Sequence, residues 1–150
     1  MIKKCSCSIL FLSPSHAWST PEEITNNKIT FGVLQEMTRS GLFDRLYTVS
    51  LEEMEKHIDK VPLKEMESEI NSKIYSLVSM LVYMDHTTPD RTNYQITKQA
   101  VRIASLGYFS DSGDDYLLYP INQEDIKEKI YYFGIPEEEF TTSVLMDIKN

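Results

Sequence analysis

The sequence predicts an α+β fold, mostly helical. A βαβα part with a short parallel strand pair comes first, and a helical bundle-like remainder with a hairpin at 108–119 follows. Three observations predict it. Two β-patterned runs, each followed by helix-start residues, fill the first 60 positions. Apolar residues at spacings of three and four run from Leu63 to Met84. Aromatic pairs then flank a polar, Gly-containing stretch between Tyr108 and Tyr119.

Residues 5–12 read Cys, Ser, Cys, Ser, Ile, Leu, Phe, Leu. The alternation at the start and the two-sided apolar end describe a strand whose carboxyl end is buried. Ser13-Pro14-Ser15 breaks it. Thr20 can then cap a helix, with Pro21 at its first position and Glu23 completing a capping box. That helix should run to about Arg39, with Gly41 just past its end. Its β-branched middle, with Gly32, is where a break would fall. Phe43 to Val49 is the second strand, and Ser50 with Glu53 caps a short helix to about Lys60. Strand, helix, strand, helix favours parallel pairing through a crossover.

Helix 63–84 is the strongest in the chain. Leu63, Met66, Ile70, Ile74, Leu77, Leu81 and Met84 form its stripe, and it should be the central packing element. A further helix is expected from Thr92, capped with Gln95, through Ile96, Ala100, Ile103 and Leu106, ending at Gly107. Asn122 should cap a helix holding Ile126, Ile130 and Phe133. Pro136 should open a final one, with Glu137, Glu138 and Glu139 in its first turn, where carboxylates favour the helix dipole.

The chain has 150 residues, which fits one globular domain, and neither disulfide nor metal is needed to fold it. Cys5 and Cys7, two apart on a strand, would place their Cα atoms roughly 6.5–7 Å apart, at or beyond disulfide range. Two thiols alone also make a poor zinc site. They read as small apolar residues, and reduced thiols suit the cytoplasm. The basic start with a mildly apolar run and Ser15-His16-Ala17 also imitates an export signal removed near residue 17. The apolar run is only about eight residues long and holds two serines, so a native strand is the preferred reading. No run approaches the ~20 apolar residues of a membrane helix.

Charge is the most informative property for function. The net is −8, and residues 108–150 hold 10 acids against 3 bases. Such a field repels nucleic acid and anionic membranes, and it speeds encounter with a basic protein. No nucleophile elbow, P-loop or dinucleotide fingerprint can be written with the five scattered glycines. His16, His57 and His86 lack metal-ligand spacing, and Asp111, Asp114 and Asp115 fail the calcium-loop pattern. No metal or cofactor is expected. Helix 93–106 followed by a hairpin has the order of a winged helix, but its wing tip would carry three Asp and no base.

The expected function is therefore an acidic, non-catalytic protein-binding domain: an immunity protein or antitoxin that covers a basic partner such as a nuclease toxin. Asp111, Asp114, Asp115, Tyr116, Tyr119, Glu137, Glu138 and Glu139 are the expected partner-binding residues, since acids steer and tyrosines anchor. The alternative is a small α/β enzyme or nucleotide-binding protein using loop 13–18. There His16 would be a base and Trp18 a stacking wall, because parallel sheets place ligands beyond their carboxyl ends.

Overall fold

A computed structural model describes residues 7–58, 61–86, 102–110, 112–129, 131, 137–139 and 141–149. The chain divides into two units, residues 1–120 and 121–150.

The first unit is an α+β arrangement around a three-stranded parallel sheet of order β1-β2-β3. Strand β1 (Ser8–Ser13) pairs with β2 (Arg45–Ser50) from Ser8 opposite Arg45 to Ser13 opposite Ser50. Between them runs helix α1 (Pro21–Arg39), unbroken through Gly32. Its start is the expected capping box: the Glu23 N–H donates to Thr20 Oγ1, and the Thr20 N–H donates to the Glu23 carboxylate at 2.8 Å. Its end is a Schellman turn. Gly41, at φ +84°, donates to the Thr38 carbonyl, and Leu42 donates to that of Met37.

Helices cover both faces of the sheet because β1 alternates. Phe11 points toward α1 and stacks on Phe31, ring centroids 5.2 Å apart. Leu10 points the other way. It packs on the core of Val49, Met54, Leu106 and Leu118 together with Ile70, Ile74, Leu77 and Leu81 of α3 (Leu63–His86). The strong stripe of α3 is thus spent on the sheet, as its periodicity predicted. Ser50 ends β2 and at once caps α2 (Leu51–Lys56), accepting the Glu53 N–H. This helix is shorter than the expected run to Lys60.

The largest departure lies at residues 103–106. Residues 93–101 of the expected helix 93–106 lie outside the described residues. Ile103–Ser105, however, is strand β3, parallel to β2 with Leu46 opposite Ile103. Strand β2 is buried, with Leu46 wholly enclosed, so its backbone groups need partners on both sides. The far side is filled by Leu46 N–H to the Arg102 carbonyl at 2.7 Å and Leu106 N–H to the Thr48 carbonyl at 3.2 Å. A winged-helix reading fails there, since the segment leading to the hairpin is strand.

The hairpin itself forms, from β4 (Gly107–Phe109) and antiparallel β5 (Asp115–Leu117). Gly107 does not cap a helix. It is needed because a Cβ there would collide with the Tyr116 carbonyl oxygen. Leu118 and Ser50 then tie the hairpin's exit to the sheet through backbone bonds.

In the second unit, Gln123–Asp125 and Glu137–Glu139 are single 3-10 turns, and α4 spans Thr142–Lys149. The helix expected after Asn122 stops at that first turn, since residues 126–129 are not helical. The final helix begins at Thr142 rather than Pro136. A lone turn fixes many dihedrals for little hydrogen bonding. Ile130, Phe133 and Pro136 lie outside the described residues.

Candidate functional site

The carboxyl ends of the parallel strands place loop 13–18 beside the start of α2. Ser13 is buried and its hydroxyl accepts from Asn27 Nδ2 of α1 at 3.0 Å. Residues His16–Trp18 form a 3-10 turn, held by Trp18 N–H to the Ser15 carbonyl. The Ser19 hydroxyl donates to that same carbonyl at 2.8 Å. The His16 backbone N–H donates to Glu52 Oε2 at 3.2 Å, and its Nδ1 lies 3.8 Å from that oxygen. Glu52 is also 4.0 Å from Lys56 Nζ, while Glu53 and Lys56 pair at 2.6 Å. That pairing raises the Lys56 pKa, the hydrogen bond it donates to the Glu53 carboxylate being the main cause. The Ser15 side chain is buried, and its hydroxyl has no hydrogen-bond partner among the described residues. Most buried hydroxyls have one.

Trp18 does not plug the core; it is 75% exposed. Glu52 was not anticipated as a neighbour of His16. The signal was present, though. A helix capped by Ser50, at the end of a second parallel strand, must put its first-turn acids at the sheet's carboxyl edge.

Beside this loop opens a cleft of about 380 Å³, lined by Leu12, Leu51, Met66, Ile70 and Ile74, with Glu55, Leu63, Glu67 and Asn71. It lies between the end of β1, α2 and the first half of α3.

The expected partner-binding residues are placed unevenly. The hairpin tip is a built turn. The Ser110 N–H donates to the Asp114 carbonyl, the Gly113 N–H to the Ser110 carbonyl, and the Asp114 N–H to Ser110 Oγ, at 3.0–3.1 Å. Ser112 Oγ donates to Asp114 Oδ2 at 3.0 Å, and Gly113 supplies the required φ of +90°. Asp114 and Asp115 are exposed there; Asp111 lies outside the described residues. Tyr116 is half-buried. Its ring stacks on Tyr108 at 5.2 Å and meets His57 edge-on at 4.5 Å. Tyr119, three residues on, instead approaches Phe31 of α1 at 5.4 Å, and burial raises its phenol pKa above 10.0. Tyr116 and Tyr119 are therefore directed toward different helices. Glu138 and Glu139 are exposed in the second unit, in the turn that also contains Glu137.

Among the described residues no group of three His, Cys, Asp or Glu side chains gathers as a metal site, and Cys7 is exposed rather than packed. No described helix is long and apolar enough to cross a membrane. No protein-family model matches the chain, and no curated protein or solved structure shows significant similarity to it.

Proposed function

We propose that this chain is an acidic protein-binding domain with no chemistry of its own, an immunity protein or antitoxin that neutralises a basic partner such as a nuclease toxin in the cytoplasm. The observation that carries the reading is the hairpin tip. Its backbone is cross-linked by its own hydrogen bonds, and it holds Asp114 and Asp115 in solvent. A preordered acidic turn loses little entropy on binding and raises the rate of encounter with a cationic surface. Glu137, Glu138 and Glu139 are the acids that the second unit contributes to the proposed binding residues.

The test is a pull-down with the tagged chain at low and moderate salt. A single basic partner should be retained at low salt and weakened by Asp111→Asn, Asp114→Asn and Asp115→Asn together. Absence of any partner at either salt would sink this reading.

A second reading has one observation behind it, the buried and unpartnered Ser15 hydroxyl at the sheet's carboxyl edge. In that reading the 13–18 loop holds a small ligand, as in a nucleotide-binding protein or small α/β enzyme. Trp18, the chain's single tryptophan, reports on it. A nucleotide or metabolite that docks there changes its fluorescence, and a screen with no change removes this reading.

A further inference from the structure

The cleft between the end of β1, α2 and α3 combines wet apolar surface with one sign of charge. We propose that it is a docking groove for a basic, amphipathic helical segment of a partner protein. Leu63 is 76% exposed and Leu12 39%, so apolar area lies open at the groove. The α3 positions lining it, Leu63, Met66, Ile70 and Ile74, recur at helical spacing; Leu63 leaves its apolar area open, while Ile70 and Ile74 form the floor, where they also pack on the core. A volume of about 380 Å³ lies within the range of roughly 300–1,000 Å³ common for binding clefts.

Charge selects the occupant. Among the described residues, the ionisable side chains lining the groove are Glu55 and Glu67, with no cation beside them. Glu52 and Glu53 are engaged with Lys56, whereas Glu55 and Glu67 have no ion-pair partner among the described residues. A helix with apolar residues at i, i+3 and i+4 and Lys or Arg beside them would fill the stripe and pair both carboxylates. A second copy of this chain is disfavoured. A two-fold contact would press the same glutamates against each other.

The proposal takes from the functional reading above only the sign of the partner's charge, and the groove shares no residue with the hairpin tip. The probe is a labelled peptide of about 14 residues, roughly four helical turns, built from Leu and Lys in amphipathic order. Controls replace its Leu by Ser or its Lys by Glu. Fluorescence anisotropy with the full chain should show saturable 1:1 binding of the Leu/Lys peptide. The Ser control should bind about tenfold more weakly or worse.

The variant Glu55→Lys with Glu67→Lys should weaken the Leu/Lys peptide by a similar factor and improve the Leu/Glu peptide. Glu67→Lys alone, at an exposed position, repeats the test if the double variant loses its circular dichroism. Asp114→Asn with Asp115→Asn should leave peptide affinity unchanged, so failure of the tip reading is separable from failure of the groove. Equal binding of the Ser control, or indifference to Glu67→Lys, overturns the groove proposal.

Discussion

Replacing Gly107 by Ala tests the junction of sheet and hairpin directly. Gly107 has no positive φ, so alanine meets no backbone objection there. The objection is contact. A Cβ at this position would overlap the carbonyl oxygen of Tyr116 and press on Leu117 Cα at 3.4 Å. Both are backbone atoms of the paired strand, which cannot swing aside as a side chain would. Overpacking of this kind costs about 1–3 kcal/mol. For a chain of this size each kcal/mol moves Tm by roughly 2–4 °C, so a fall of roughly 2–12 °C is expected. Gly32→Ala is the internal control. That glycine lies inside α1, and a methyl group added there would meet nothing within 4 Å, so alanine should raise stability by about 0.5–1 kcal/mol. Thermal and urea unfolding of the two variants should therefore move in opposite directions. An unchanged Tm for Gly107→Ala would refute the close strand approach, and a loss for Gly32→Ala would show that something packs on that face of α1.

Other expectations are as definite. Leu46→Ala empties a site with 0% exposure on the central strand and should cost about 2–5 kcal/mol by urea titration; a cost below about 1 kcal/mol would contradict its enclosure. Thr20→Ala removes the acceptor of the α1 capping box and should cost about 1 kcal/mol, with no change in the circular dichroism of the folded state. Burial raises the Tyr119 phenol in the folded state, so the unfolded chain releases that proton first as pH rises past 10.0. This group thus makes stability fall with alkaline pH above that value while adding no slope below it. Tyr119→Phe should flatten the fall in urea midpoints, and an unaltered slope would disprove the assignment. Deleting residues 1–17 removes β1 and six paired positions from β2, so the shortened chain should lack a cooperative unfolding transition.

The elements legible in the sequence are those closed by local bonds. Thr20, Pro21 and Glu23 specify the start of α1 through atoms within three residues of one another, and Gly41 specifies its end by supplying a left-handed φ. The stripe from Ile70 to Leu81 declares its buried side because a helix repeats its face every three to four residues. Strands β1 and β2 were legible, and the helix between them favoured a parallel pair through a crossover, while their pairing with each other rather than with the hairpin was decided by the fold. For the candidate sites, the polar tip near Ser112 and Gly113 and the place of loop 13–18 after a parallel strand were also readable.

The tertiary structure decided everything that depends on a distant partner. Ile103 and Leu106 continue the helical period of Ile96 and Ala100, yet Ile103–Ser105 pairs with β2, where Ile103 lies opposite Leu46, 57 residues away in sequence. Gly107 became obligatory only when Tyr116 was laid against it. Tyr116 and Tyr119 are alike in sequence, but one meets His57 and the other Phe31. His16 acquired Glu52 as a neighbour, and Leu12 and Leu63 came to open onto one cleft, through the same packing. A sequence records the hydrogen bonds that close within a few residues. Which strand edge, helix face or carboxylate meets which is set by burial and backbone satisfaction across the whole sheet, and only the folded chain supplies those.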